Sequence, residues 1–191
     1  MKKILVLFTI FILTAVTAFA LSTPRWNVRP IKVYIPDDSY TGELMRNAFL
    51  QWQERTFSAV WFNFVGHDKK DTANITVHFV DKNTNCGNTS AIGCTHLNVD
   101  RNGFFIHNDI YIASKAVYRL VGDDGTVATK TVPLHSEQIY RVMLHEVGHA
   151  IGIAQHSKNP NSIMYRYSID DENIPQSLAD EDLKFVYNIY R

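Results

Sequence analysis

The feature that constrains this chain most is the motif His145-Glu146-Val147-Gly148-His149, which is followed by Gly152 and His156. In a helix, His145 and His149 lie one turn apart on the same face, so both imidazoles can bind one ion. Gly152 is expected to end the helix, and His156 can then fold back as a third nitrogen donor. Three protein nitrogens with an open fourth position are typical of a catalytic zinc, whereas structural zinc sites have four protein ligands. The motif therefore predicts one catalytic zinc ion.

Glu146 stands beside the first histidine and is turned away from the ligand direction, so we expect it to be a base and not a ligand. In that role it accepts the proton of a water that the metal activates and passes it to the leaving amine. These residues predict a zinc-dependent endopeptidase. The alternatives are a catalytically weak zinc-bearing module that binds an extended peptide, and a structural domain with an accidental motif. Retention of Glu146 favours the enzyme, because a module that only binds peptides needs no base.

The motif and the later Ser162-Ile163-Met164-Tyr165 resemble the metzincin zinc peptidases, and within them the matrixin branch, to which the matrix metalloproteinases belong. The family pattern is HExxHxxGxxH, followed by a tight turn that carries a methionine. Four positions match the pattern directly: His145, Glu146, His149 and Gly152.

The third ligand departs from the family pattern, which places histidine where this chain has Gln155. Either the turn carries one extra residue and His156 binds, or the site is degenerate and Gln155 is a poor substitute. Met164 follows His156 by eight positions, and the resemblance implies a step of about this length, since in matrixins the methionine follows the third histidine by about eight positions. Zinc also prefers an imidazole to an amide. We therefore expect His156 to be the ligand.

The resemblance also assigns roles around the metal. It implies that Met164 forms a hydrophobic base under the histidines and is not itself a ligand. It places Tyr165 in the wall of the pocket for the residue after the cleaved bond, where matrixins accept hydrophobic side chains. Arg166 stands where matrixins usually have proline, which leaves the depth of this pocket open.

A second, structural zinc and calcium are not expected. His96 and His107 lie in the region where vertebrate matrixins hold a structural zinc, but Tyr111 stands where another histidine would be needed. The acidic run that binds calcium in those relatives is also missing, so the matching ligands are too few for either ion.

The order of the elements predicts an α+β domain. Given the resemblance, we expect a metzincin-like domain with a twisted mixed sheet, an active-site helix and a C-terminal helix. Periodicity predicts helices over 43–56 and 136–152, capped near Thr41 and at Ser136, and a last helix that a capping box at 177–180 opens. A turn at 123–125 is expected within a polar linker. Strands are expected at 31–35, 60–65, 74–80, 95–99 and 104–113.

The first 20 residues have the pattern of a signal peptide: Lys2 and Lys3, an apolar run over 4–17, and the small-x-small sequence Ala18-Phe19-Ala20. The alternative is an uncleaved membrane anchor, although the run is short for a span. We expect residues 21–191 to be a single exported catalytic domain, secreted or periplasmic, without stable membrane association after cleavage. Neither a propeptide with an inhibitory cysteine nor a haemopexin-like domain is expected.

The formal net charge is zero, so nothing indicates nucleic acid as a partner. The expected partner of a monomeric enzyme of this kind is a protein or peptide substrate.

Cys86 and Cys94 are the two cysteines of the chain. In an oxidising compartment we expect them to form a local disulfide, with two free thiols as the alternative. Closing so short a loop stabilises by about 2.6 kcal/mol at most in the chain-entropy model.

Overall fold

A computed structural model describes residues 23–36, 39–82, 85–87, 91–166, 175 and 177–191. The predicted signal segment lies outside these residues. Within them, no helix is both long and apolar enough to span a bilayer. The helices are α1 (Tyr40–Arg55), α2 (Ser136–Ala150) and α3 (Asp180–Tyr190), and the strands are β1 (Ile31–Tyr34), β2 (Phe62–Val65), β3 (Ile75–Val80), β4 (Gly93–Val99), β5 (Phe105–Ala113), β6 (Lys115–Val121) and β7 (Val127–Pro133).

Five strands form one mixed sheet in the order β2-β1-β3-β5-β4. The first four of these are parallel to their neighbours, and β4 runs antiparallel to β5 at the edge. A β-bulge interrupts the register between Asn98 and Val99. The predicted α+β class with a mixed sheet, an active-site helix and a C-terminal helix is therefore confirmed.

Helix α2, which carries the histidine motif, is fixed in the core by three long-range hydrogen bonds. The fully buried Trp52 of α1 donates from its indole nitrogen to the carbonyl oxygen of Leu144, at 2.9 Å. Trp26 and Asn108 both donate to the carbonyl oxygen of Ala150, at 2.9 and 3.0 Å. Because a buried polar group without a partner is costly, these bonds restrict where the helix can end. The packing thus defines the position of the residues that follow Ala150.

The predicted polar linker before α2 is wrong, because the structure forms a β-hairpin there. Strand β6 pairs with β7 along its whole length, and the backbone N–H of Gly122 donates to the carbonyl of Thr126 at 2.8 Å. The turn expected at 123–125 is present between the two strands. The hairpin is largely exposed, so its sequence lacks the alternation of buried and exposed residues that predicts a strand.

The helix starts also differ from the predictions. Helix α1 begins before residue 43, and Ser39 rather than Thr41 accepts from a backbone N–H of its first turn. Ser136 is the first helical residue of α2 and not its cap. The capping position belongs to His135, whose backbone N–H donates to the side chain of Gln138 at 2.9 Å.

The predicted capping box at Ser177 does not form, since α3 begins at Asp180. The carboxylate of Asp182 accepts instead from the backbone N–H of Ala179, at 2.9 Å. Asp182 is only 3% exposed, so this acidic side chain belongs to the interior.

The expected disulfide is present. Cys86 and Cys94 are joined, with their Cα atoms 5.8 Å apart. Cys94 lies in β4, which begins earlier than predicted. The disulfide therefore ties the loop before the edge strand to the strand itself.

Candidate metal centre

Helix α2 and the turn after it bring three imidazoles together. Suitable nitrogen atoms of His145, His149 and His156 all lie within 4.8 Å of one another. His145 and His149 are one helical turn apart, and their Nε2 atoms are separated by 3.1 Å. Among the described histidines, cysteines and acidic residues, this is the one group of three or more that meets that distance.

The turn after α2 depends on Gly152. Its φ of +118° is a conformation that residues with a side chain rarely adopt. A Cβ there would lie 2.6 Å from the carbonyl oxygen of Pro24. The tight turn lets the carbonyl of Ile153 accept a hydrogen bond from Nδ1 of His149, at 2.6 Å. Gly152 therefore directs the chain toward His156 and orients the ring of His149.

The two helical histidines have defined tautomers. Nδ1 of His145 lies 2.7 Å from the carbonyl oxygen of Ile163, just as Nδ1 of His149 lies beside that of Ile153. A carbonyl only accepts, so each Nδ1 carries the proton and each Nε2 presents a bare lone pair. Two lone pairs that face each other repel unless a cation lies between them.

A zinc ion fits this arrangement. Zn–N bonds of about 2.0–2.1 Å in a tetrahedron place neighbouring nitrogens roughly 3.3 Å apart, close to the 3.1 Å observed between the two Nε2 atoms. Carbonyl acceptors on the opposite ring nitrogens are also the usual way in which metal-binding histidines are oriented. His145, His149 and His156 can therefore hold one zinc ion.

The imidazoles are held in the neutral form that binds metal. Burial, with a smaller contribution from the neighbouring His149, lowers the pKa of His145 to about 3. Burial lowers the pKa of His149 to about 4, against a hydrogen bond to Ile153 that acts in the opposite direction. At neutral pH a metal does not have to displace a proton from either ring.

His156 approaches the other two rings from outside the helix. Its ring centroid lies 5.1 Å from that of His145 and 5.1 Å from that of His149, although the residue is exposed. Partial burial lowers its pKa, and so does the charge of Arg166. Gln155 is exposed as well. The structure thus places His156 beside the helical pair, and its role as third ligand stays a prediction.

Glu146 contacts the edge strand β4. It is 5% exposed, and burial raises the pKa of its carboxyl to about 7, which a hydrogen bond from Thr95 partly opposes. The hydroxyl of Thr95 lies 2.7 Å from Oε2 of Glu146. A carboxyl group with a pKa near neutrality is suited to accept and release a proton at physiological pH.

Met164 packs directly against helix α2. It is 1% exposed, and a Cβ at Gly148 would lie 2.3 Å from its sulfur atom. The carbonyl of Met164 accepts from the backbone N–H of Ser157 at 2.8 Å, which closes the turn between them. Tyr165 is half-buried and bridges to Ser157 at the end of this turn. Its predicted role as a pocket wall remains a prediction.

Three further histidines lie in strands of the sheet: His78, His96 and His107. His78 and His107 both face Asp109, with Nε2 atoms 2.8 and 3.5 Å from Oδ1 of its carboxylate. The ring of Tyr111 stacks on His78 with centroids 4.6 Å apart and is tilted against His96 at 5.1 Å. These residues occupy a half-exposed face of the sheet.

Three residues of the site were not singled out by the sequence: Thr95, Gly148 and Asp182. Gly148 left a signal, since a glycine inside a helix costs about 1 kcal/mol relative to alanine and so usually has a packing reason. Thr95 and Asp182 left none, because their partners are 51 and about 20 residues away in the chain.

Two facing histidines on a helix, a buried glutamate beside them and a closed turn at Met164 are the features that the resemblance to the metzincin peptidases predicts. Comparison with known proteins agrees with this class. The sequence model of the Matrixin family matches residues 25–191. The chain belongs to the matrixin family, as the motif predicted.

The proteins similar to this chain include the following two. Matrix metalloproteinase-15 from Homo sapiens is 27% identical over 189 residues, which cover 90% of this chain and 26% of that protein. The chain therefore corresponds to about a quarter of that relative's length. The crystal structure of archaemetzincin from Methanopyrus kandleri has 11% sequence identity and a TM-score of 0.48, and the match covers 91% of this chain and 98% of that one.

Proposed function

We propose that the protein is an exported zinc-dependent endopeptidase. The observation that carries the proposal is the pair of bare Nε2 atoms, 3.1 Å apart, on the helix that also presents the buried carboxyl of Glu146. A structural zinc site needs a fourth protein ligand, and the described residues offer a group of three. An open position beside a base supports hydrolysis.

Each residue of the site has its own role in this reaction. When bound, zinc supplies a Lewis acid that polarises a peptide carbonyl and acidifies a water molecule. The imidazoles of His145, His149 and His156 hold the ion. Glu146 takes the proton of the attacking water at its carboxylate and delivers it to the nitrogen of the leaving amine.

The edge strand offers a way to bind the substrate. Strand β4 pairs with β5 on one side and ends the described sheet on the other, and its Thr95 reaches Glu146. An extended peptide can add to such an edge through main-chain hydrogen bonds. The substrate would then be a protein or peptide in extended form, with Tyr165 in the wall of the pocket for the residue after the cleaved bond.

A second function is supported by the position of the third histidine. His156 is exposed and comes one residue later than in the family pattern, so a weakly held metal would leave a zinc-bearing module that binds peptides without cutting them. The buried Glu146 supports the enzyme, because burying an ionisable group is costly and a peptide-binding module would gain nothing from it.

The deciding experiment compares the wild-type protein with Glu146→Ala and Glu146→Gln. We expect one zinc and no calcium per chain by elemental analysis, cleavage of an unfolded protein substrate, and loss of cleavage with a chelator. Both variants should keep zinc and lose at least about a hundredfold in kcat, the usual contribution of a general base. Zinc binding without cleavage in the wild type would favour the binding module, and equal cleavage by wild type and both variants would refute the mechanism.

Export is tested separately. Intact-mass measurement of the protein recovered outside the producing cytoplasm should give a chain that begins near Leu21. A chain that retains residues 1–20, or remains in the cytoplasm, would contradict export without affecting the assignment of the metal centre. Sedimentation should show a monomer at the concentrations used for the assay.

A further inference from the structure

Thr95 is the residue of the edge strand that contacts Glu146 most directly. Its Oγ1 lies 2.7 Å from Oε2 of the carboxylate and 3.0 Å from the backbone carbonyl oxygen of the same residue. A threonine hydroxyl has a single proton to donate. Donation to a carboxylate is the stronger of the two choices when the carboxylate is ionised.

The same strand shapes the space around the other carboxylate oxygen. A Cβ at Gly93 would lie 2.8 Å from Oε1 of Glu146 and 2.5 Å from Cγ1 of Val142. The missing side chain at Gly93 therefore leaves room for Glu146 beneath the strand. Residues 93 and 95 are two apart in a strand, so they lie on the same face of β4. That face is the one turned toward α2.

We propose that Thr95 is a positioning residue, whose hydroxyl holds the carboxylate of Glu146 in the orientation needed for proton transfer; this rests on the proposed peptidase function. A glutamate side chain has three rotatable bonds, and fixing it in one orientation costs conformational entropy. A hydrogen bond from the strand offsets part of that cost before substrate arrives. Because a base must be aligned with the proton that it accepts, loss of the hydroxyl reduces the rate of the chemical step.

The contact also joins base and substrate to one element. A peptide that pairs with β4 takes its position from the backbone of the strand, and Glu146 takes its orientation from a side chain of that strand. The bond from Thr95 therefore fixes the position of the Glu146 carboxylate relative to the strand that binds the peptide.

The test compares Thr95→Val, which keeps the shape and removes the hydroxyl, with Thr95→Ser, which keeps the hydroxyl. We expect Thr95→Val to lower kcat about tenfold, the effect of one lost hydrogen bond of ordinary strength. KM and the zinc content should stay at the wild-type values, and Thr95→Ser should restore most of kcat. Thr129→Val, on the exposed strand β7, is the matched control and should leave all three quantities unchanged.

A second measurement does not depend on activity. In a crystal structure of metal-free Thr95→Val, the carboxylate of Glu146 should lose its single orientation, whereas Thr95→Ser should keep it. An unchanged kcat in Thr95→Val, an equal loss in Thr95→Ser, or one unchanged carboxylate orientation in both variants would overturn the positioning role. A wild-type protein that binds zinc but cleaves nothing would instead refute the proposed function and, with it, this role.

Discussion

The carboxylate of Asp182 and the backbone of Ile163 are hydrogen-bonded, with Oδ2 3.1 Å from the N–H of Ile163. The carbonyl oxygen of the same Ile163 lies 2.7 Å from Nδ1 of His145. Asp182 also accepts from the hydroxyl of Ser162. Ile163, in the turn that carries Met164, therefore connects the start of the last helix to a proposed metal ligand.

Replacing Asp182 should weaken both the fold and the metal site. Asp182→Ala removes the carboxylate that accepts from the backbone N–H groups of Ile163 and Ala179, and we expect a loss of about 2–4 kcal/mol in the free energy of unfolding. Zinc affinity should fall by about 10- to 100-fold, as it does when groups that orient metal ligands are removed. Denaturant unfolding and competition with a chromogenic chelator measure these two effects.

Asp180→Ala is the matched control for this prediction. Asp180 is exposed in the same helical turn, so its removal changes the helix-dipole interaction by less than about 1 kcal/mol. If Asp182→Ala and Asp180→Ala behaved alike, the connection through Ile163 would have no energetic weight.

Gly148→Ala should destabilise the protein through Met164. The new Cβ would lie 2.3 Å from the methionine sulfur and 3.1 Å from Cζ2 of Trp52. Forcing an extra methyl group into a packed core costs about 1–3 kcal/mol, although alanine is the better helix former. Thermal unfolding of the zinc-loaded protein measures the loss.

A double mutant tests whether Met164 is the cause. Met164→Ala removes the side chain that the new methyl group meets, so Gly148→Ala should cost less in that background than in the wild type. Strict additivity of the two losses would show that the two residues are not coupled.

The third ligand is tested by a pair of adjacent substitutions. We expect His156→Ala to lose zinc affinity by at least about a hundredfold, because an imidazole donor disappears from a site with three protein ligands. Gln155→Ala should bind zinc as the wild type does. Isothermal titration with zinc distinguishes the two, and the reverse result would assign the ligand to Gln155.

Tyr190 should make the stability of the fold sensitive to alkaline pH. Its hydroxyl donates to the carbonyl of Ile151 at 2.9 Å and accepts from the backbone N–H of Trp26 at 3.3 Å. Burial raises the pKa of Tyr190 above its ordinary value of 10.0. The stabilisation from this group is therefore complete below the unfolded pKa and is lost as the pH rises through the folded pKa.

Tyr190→Phe is the corresponding variant. It should lower the free energy of unfolding by about 1 kcal/mol at pH 8, where the hydroxyl is protonated and bonded. Its stability should then fall less steeply above pH 10 than that of the wild type, in denaturant titrations repeated at each pH. Tyr40→Phe, at a residue that is 65% exposed, should leave the wild-type pH dependence unchanged.

The elements around the histidine motif are the easiest to predict from sequence. The spacing of His145 and His149 predicts helix α2, and Gly152 predicts its end. Both signals lie within a few residues of the chain. Strands β1, β3 and β5 were also found within one or two residues, because their buried positions give apolar runs or regular alternation. Local sequence patterns are sufficient to predict elements whose signals lie within their own residues.

Two kinds of feature are not predicted from the sequence. One is an element that buries few side chains, and the other is a contact between residues far apart in the chain. The β6–β7 hairpin buries little, so hydrophobic patterning could not distinguish it from a linker. The bond from Thr95 to Glu146 exists only because β4 lies across α2, and Asp182 accepts from Ile163 only because α3 returns to the methionine turn. Nothing near these residues in the chain indicates such partners.

The hydrogen bond between Trp26 and Tyr190 has a consequence for folding during synthesis of the chain. The two residues are 164 positions apart, and both contact the turn that follows the metal helix, at Ala150 and Ile151. A nascent chain that lacks α3 therefore lacks the bond from Tyr190 to Ile151. It also lacks the hydrogen bonds that Asp182 accepts from Ser162 and Ile163. The bonds that hold the turn after α2 therefore form only once α3 has been added, so a chain without α3 should hold His156 less firmly beside His145 and His149.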